Sequence, residues 1–187
     1  MFRHVMLVRH AMPIVFPDQP PGSWRLGAEG TAQASDLART VALQSPDLIV
    51  TSTEPKAIET GGIIAAGLHL ACSSFEGFHE QGADSVPFVD DPDEFRKIVK
   101  RHFELADRAI LGSEPSRDAA RRFRTALDLL SIRFPEVRLP LIVSHGRIMA
   151  AFLGGLTGQD PWDIWKELTF PDLIRVDLNA RRFEQPH

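Results

Sequence analysis

Two stretches of this chain, Val5-Met6-Leu7-Val8 and Leu139-Pro140-Leu141-Ile142-Val143, are apolar without alternation. A strand with one wet face alternates; a strand without alternation is covered on both faces, as in the middle of a sheet flanked by helices. Each run stops at polar side chains, Arg9-His10 in the first case and Ser144-His145-Gly146 in the second. Strand ends of α/β proteins are where ligand-binding groups are usually presented. A planar cation beside an imidazole suits an oxyanion and a group that reacts with it. Alone, Arg9-His10 reads more simply as a strand meeting solvent, because short motifs have many false positives.

Between and around these runs, strand and helix patterns alternate. Residues 3–9 read as a strand and Ala28 to Leu43 as a helix, with Ala34, Leu37, Ala38 and Val41 on one face. Asp47 to Val50 read as a short strand. Thr51-Ser52-Thr53 supplies capping side chains for a helix that opens at Pro55 and stops near Gly67. Residues 71–91 read as irregular, followed by helices over about 92–106 and 116–134, the second with Phe123, Leu127, Leu130 and Phe134 on one stripe. After the strand Leu139 to Ser144 come a helix from Arg147 to about Leu153 and a helical turn at Asp160 to Trp165. Leu173 to Leu178 pairs with Arg182-Phe183 as a closing edge. The pattern predicts an α/β fold, a three-layer α/β/α sandwich around a mostly parallel sheet, as a single domain over residues 1–187. The insertion at 71–115 is expected to form a wall of the site. Asp90, Asp91, Asp93 and Glu94 within it are expected to cap the following helix.

The charge balance narrows the function classes. With 21 Lys and Arg against 25 Asp and Glu, the net charge is −4, and no basic block is long enough to track a nucleic acid. The cluster Arg117, Arg121, Arg122 and Arg124 reads as a solvated helix face. The single cysteine, Cys72, excludes an intramolecular disulfide and a multi-cysteine metal cluster, and is expected as a small buried apolar residue. Arg3, His4, Arg9 and His10 interrupt the apolar N-terminal stretch, so no secretory signal is expected. The apolar segment from Gly61 to Cys72 is too short to span a bilayer, so the expected location is the cytoplasm.

In a parallel sheet the ends at Arg9-His10, Thr51-Ser52 and Ser144-His145-Gly146 open on one edge, with Lys56 a turn beyond the second. Two histidines and two cations converging there make an anion pocket with a nucleophile. Neutral imidazole attacks phosphorus, and a covalent intermediate splits one difficult transfer into two easier ones. An acid for the leaving oxygen is expected from the irregular segment, at Glu76 or Glu80. His79 and His4 read as surface residues, and Trp24, Trp162 and Trp165 as packing at the core or its margins.

The chain resembles the histidine phosphatase superfamily, branch 1, the phosphoglycerate mutase-like family. Leu7-Val8-Arg9-His10-Ala11 is similar to the opening motif, with Ala11 in place of glycine. Leu26-Gly-Ala-Glu-Gly30-Thr-Ala-Gln33-Ala34 resembles the segment that starts the first helix. Thr51 to Thr60 resembles the second-arginine motif, with Lys56 in place of the arginine. Phe78-His79-Glu80 resembles the segment that carries the acid, and Leu141 to Gly146 the second-histidine motif. The resemblance implies a phosphoglycerate mutase-like fold and a metal-independent phosphomonoester hydrolase without a cofactor. His10 would be the phosphorylated nucleophile and Glu80, in preference to Glu76, the general acid and base. Arg9, Lys56, His145 and Gly146 would hold the phosphoryl group.

The alternatives are a phosphoglycerate-type mutase and a weakly active or inactive relative that binds phosphate or a phosphoprotein. Mutases of this family carry basic segments after the glutamate, whereas Gly82 to Asp91 is acidic and apolar here, which favours a phosphatase. The expected partner is a small phosphorylated metabolite, with a phosphoprotein as the alternative. The apolar loop Ala11 to Pro17, together with Phe88, hints at a leaving group with hydrophobic surface. Lys56 keeps the charge of an arginine but loses its fork. It would substitute at reduced rate, or be assisted by an arginine such as Arg25.

Overall fold

A computed structural model describes residues 1–81 and 88–186. In chain order the elements are β1 (His4–Arg9), α1 (Ala28–Gln44), β2 (Leu48–Thr51), α2 (Pro55–Leu68), β3 (Cys72–Ser74), α3 (Pro92–Glu104) and α4 (Ser116–Arg133). Then follow β4 (Pro140–Ser144), α5 (Gly146–Thr157), α6 (Pro161–Glu167), β5 (Asp172–Asp177) and β6 (Arg182–Glu184). The strands form one sheet in the order β3-β2-β4-β1-β5-β6. β1, β2, β3 and β4 run parallel; β5 and β6 close the other side antiparallel.

The sheet is covered on both faces, as the apolar runs require. Val5, Leu7, Val50 and Ile142 point into a core shared with α4 and α5, where Phe123, Leu127, Leu130, Ile148 and Phe152 meet them. Met6, Val8, Ile49, Leu141 and Val143 point to the opposite face, against Ala38, Val41, Ala57 and Ile64 of α1 and α2. The two sets alternate along each strand, and every one of these positions is apolar. The result is the expected three-layer sandwich.

Several local readings are corrected. Residues 71–91 are not wholly irregular: Cys72–Ser74 add a parallel edge strand, pairing Ile49 with Cys72. Three residues with two serines carry no apolar signal, so only the neighbouring strand identifies them. Cys72 is accordingly half-buried at the edge. Gly67 does not end α2, which continues to Leu68 and stops at His69 in the left-handed region (φ 55). α5 runs past Leu153 to Thr157, through Gly154-Gly155. A Cβ on Gly154 would meet Pro161 at 2.6 Å, so this glycine serves contact with α6 rather than a stop. Asp91 does cap α3, accepting from the Asp93 amide. The portion of the acidic and apolar wall at 82–87 lies outside the described residues.

Candidate active site

Parallel pairing places the three strand ends side by side. Arg9 registers with Ser144 and Thr51 with Val143. Backbone bonds continue one residue further, from His10 N to Ser144 O (3.0 Å) and from Ser52 N to Val143 O (2.8 Å). The side chains of Arg9, His10, Ser52, Lys56 and His145 are thereby collected at one edge, all buried. Arg9, His10, Lys56 and His145 line a cleft of about 1030 Å³. Its walls come from the loop 13–24, the segments 76–81 and 88–95, and residues 165–170.

His10 Nδ1 lies 2.8 Å from the carbonyl of its neighbour Ala11. A carbonyl only accepts, so Nδ1 carries the proton and the lone pair is on Nε2. Burial, with His145, Lys56 and Arg9 nearby, holds the ring well below the usual histidine range and therefore neutral. The loop is fixed from behind: Thr60 Oγ1 accepts from the Ala11 amide (3.1 Å) and Gln33 from the Met12 amide (3.0 Å).

Arg9 is stacked at 3.4 Å over the Phe170 ring and donates through one terminal nitrogen to the Leu168 carbonyl (2.7 Å). Burial lowers its pKa to about 10, so it remains a cation. Gly146 makes room for it: a Cβ there would sit 3.0 Å from Arg9 Nε. His145 Nε2 meets Ser52 Oγ at 2.6 Å, and burial followed by Lys56 keeps this ring neutral too. Arg9 Nε and His145 Nδ1 are buried without hydrogen-bond partners among the described residues, and both side chains line the cleft. A phosphoryl oxygen is the kind of acceptor that such orphaned groups fit.

The two carboxylates weighed for the acid are separated. Glu76 is 84% exposed at the rim, 4.0 Å from His79, whereas Glu80 is drawn inward. Glu80 accepts from the amides of Gln81 (3.0 Å), Arg147 (3.1 Å) and Ile148 (3.0 Å) and lies 3.4 Å from Arg147 Nε. Burial pushes its carboxyl up, but Arg147, His145 and the Gln81 amide outweigh burial and leave it below the ordinary range. Two amides of the α5 N-terminus are thus occupied by Glu80 itself. Ser144 Oγ donates to the Phe78 carbonyl (2.7 Å), tying this segment to β4.

Neither Arg147 nor Glu54 was expected at the site, and both line the cleft; Glu54 is the N-cap residue of α2. One oxygen contacts Lys56 Nζ; the other accepts from the Glu80 amide (2.7 Å) and lies 3.4 Å from His145 Nε2. Its two-residue spacing from Lys56 was the available signal. Ser52 does not cap α2 but accepts from the Glu54 amide (3.2 Å). Lys56 also donates to the Pro21 carbonyl (2.6 Å). Arg25 pairs with Glu59 and does not line the cleft. His79 and Trp24, by contrast, do line it. Arg122 is not merely a solvated residue: it pairs with Glu114 and donates to the carbonyls of Gly77 and His79, holding one wall. Among the described residues no group of three or more His, Cys, Asp or Glu is arranged to hold a metal ion, and no helix is long and apolar enough to cross a membrane.

Comparison with known proteins fits this geometry. The family model described as histidine phosphatase superfamily (branch 1) matches residues 5–183. The chain is 28% identical over 167 residues to an uncharacterized phosphatase PhoE of Bacillus subtilis, covering 86% of this chain and 76% of that protein. A mycobacterial glucosyl-3-phosphoglycerate phosphatase, solved in complex with VO3, superposes with a TM-score of 0.77 at 20% identity, covering 99% of this chain and 98% of that one. The α-ribazole phosphatase of Shigella flexneri gives 0.69 at 17% identity, with coverage of 97% and 94%.

Proposed function

This chain belongs to the histidine phosphatase superfamily, and we propose that it is a phosphatase that hydrolyses phosphomonoesters through a phosphohistidine on His10. The observation that carries the reading is the pinned tautomer: Nδ1 bonded to the Ala11 carbonyl leaves an unprotonated Nε2 beside Arg9 and His145. The names of the relatives, which are phosphatases, support the same reaction class.

In the first step the Nε2 lone pair attacks phosphorus and the bond to the leaving oxygen breaks. Glu80, in its protonated form, gives its proton to that oxygen, and the alcohol departs. In the second step water attacks the phosphohistidine and gives a proton to Glu80; the P–N bond breaks and inorganic phosphate leaves. Arg9, Lys56 and Gly146 with its neighbour His145 surround the phosphoryl oxygens, where charge develops. The orphaned Arg9 Nε and His145 Nδ1 are the groups suited to bind them. The substrate is a small phosphorylated metabolite, since the site is a concave cleft rather than a flat surface. A site that supplies its own cations and a carboxyl for proton transfer has the elements of the reaction without a cofactor.

The test is hydrolysis of p-nitrophenyl phosphate, with chelator present, between about pH 4 and 8. Release of phosphate by the wild type, its loss in His10→Ala, and an acid-labile, alkali-stable phosphoenzyme in quenched reactions are expected. No release at any pH, or undiminished release by His10→Ala, would overturn the proposal.

A further inference from the structure

We propose that the cleft selects phosphomonoesters whose leaving group is uncharged and apolar, and that Glu54 enforces this by consuming the charge of Lys56. The inference rests on the phosphatase reading above and names the substrate class of the same site.

The first observation is the pairing of charges. Arg9, Lys56 and Arg147 are the permanent cations lining the cleft, against the carboxylates Asp18, Glu54, Glu76 and Glu80. Lys56 is in contact with Glu54, and Arg147 with Glu80. Arg9 is the lining cation without a carboxylate in salt-bridge contact among the described residues. Residues 82–87 contain no Lys or Arg. A phosphoryl dianion placed against Arg9 therefore takes up the one lining cation that no carboxylate holds in a salt bridge among the described residues. A second phosphate or a carboxylate on the leaving group finds no cation left over and faces Asp18 or Glu76 instead.

The second observation is the wall beyond the phosphoryl end. Val15, Trp24, Phe88, Phe95 and Trp165 line it, from three separate stretches of chain. Trp24 meets Phe88 edge-on at 6.2 Å and Phe95 meets Trp165 at 6.1 Å. The indole N–H of Trp24 is directed to the carbonyls of Phe16 and Gln19 (3.2 Å each), which fixes the ring in place. Val15 and Phe88 are 45% and 39% exposed, apolar surface that an apolar leaving group would cover. The same cavity joins this wall to His10, so one molecule spans both ends.

The experiment compares kcat/KM for phenylpropyl phosphate, phosphoglycerate and fructose bisphosphate, all esters of unactivated alcohols, in the wild type and in Glu54→Gln, Glu54→Leu and Trp24→Ala. Phenylpropyl phosphate is expected to exceed the two anionic substrates by about tenfold or more. Both Glu54 variants are expected to narrow that ratio, and Trp24→Ala to raise KM for phenylpropyl phosphate alone. The amide in Glu54→Gln still accepts from the Glu80 amide, so this variant preserves the fold if Glu54→Leu does not. Equal or better use of phosphoglycerate by the wild type would overturn the substrate class; an unchanged ratio in Glu54→Gln would overturn the role of Glu54. If no ester is hydrolysed the phosphatase reading fails separately. Calorimetric binding of phenylpropylphosphonate against phosphonopropionate then decides the selectivity, with equal binding or preference for the carboxylated compound overturning it.

Discussion

The rings of His10 and His145 meet edge-on with centroids 5.0 Å apart, and burial holds both neutral. Each comes from the end of a different parallel strand, so their distance is set by sheet geometry rather than by local sequence. Two imidazolium ions at this separation would repel in a poorly solvated pocket, which is why proximity and neutrality go together. A neutral His10 retains the lone pair that a nucleophile needs.

The pH profile follows from these shifts. His10 lies well below 6.5 and remains unprotonated under mildly acidic conditions, while Glu80 lies below the ordinary carboxyl range and must be protonated to act as an acid. kcat/KM is therefore expected to rise as pH falls from neutrality, with an optimum on the acid side of 6.5. Glu80→Gln should cost about 10²-fold or more and flatten the alkaline limb. A profile of the variant parallel to that of the wild type would argue against Glu80 as the proton carrier.

Lys56→Arg is expected to lower activity, by about tenfold, rather than restore a family-like rate. Lys56 is 5% exposed, with Nζ held between the Pro21 carbonyl and Glu54. A longer, forked cation overfills that space, at a cost of about 1 to 3 kcal/mol. Combining it with Glu54→Leu should recover part of the loss, since the carboxylate that holds the cation back is removed. Steady-state kinetics of the two single variants and the double variant measure this coupling.

Gly146→Ala separates activity from stability. The added Cβ would fall 3.0 Å from Arg9 Nε and 3.1 Å from Cζ of a guanidinium that is stacked on Phe170. The end of one side chain must shift, so the melting temperature should change little. If Arg9 binds the phosphoryl group as proposed, its displacement should lower kcat/KM by about tenfold or more. A large loss of stability with unchanged kinetics of the folded fraction would contradict the placement of Arg9.

His102 makes stability pH-dependent. It is fully buried on α3, and burial followed by Arg147 lowers its pKa to about 4, against the opposing pull of Glu80 and Glu114. The folded state disfavours the proton that the unfolded chain accepts below 6.5. The contribution is thus complete above 6.5 and lost progressively as pH falls towards 4, amounting to about 3 kcal/mol. His10 and His145 act in the same direction. In urea unfolding at pH 7 and 4.5, His102→Gln should show a smaller difference between the two conditions than the wild type.

Apolar runs without alternation determined, from sequence alone, that β1 and β4 are inner strands covered on both faces. The polar residues that end them located His10, Arg9 and His145 at one edge. These features are legible because burial and period are local properties, written residue by residue along each element. β3 was not legible, because three residues with two serines acquire their strand geometry from the neighbour they pair with. Nor were the charge pairs of the cleft. Glu80 reaches the α5 amides across 67 positions, and Arg9 reaches the Leu168 carbonyl across 159. Even the short step from Glu54 to Lys56 depended on both side chains turning into the same buried space beside Pro21. Whether a cation is free or already neutralised is a matter of distances between side chains. Only the tertiary structure decides those distances, and through them how much charge the cleft has left for a substrate.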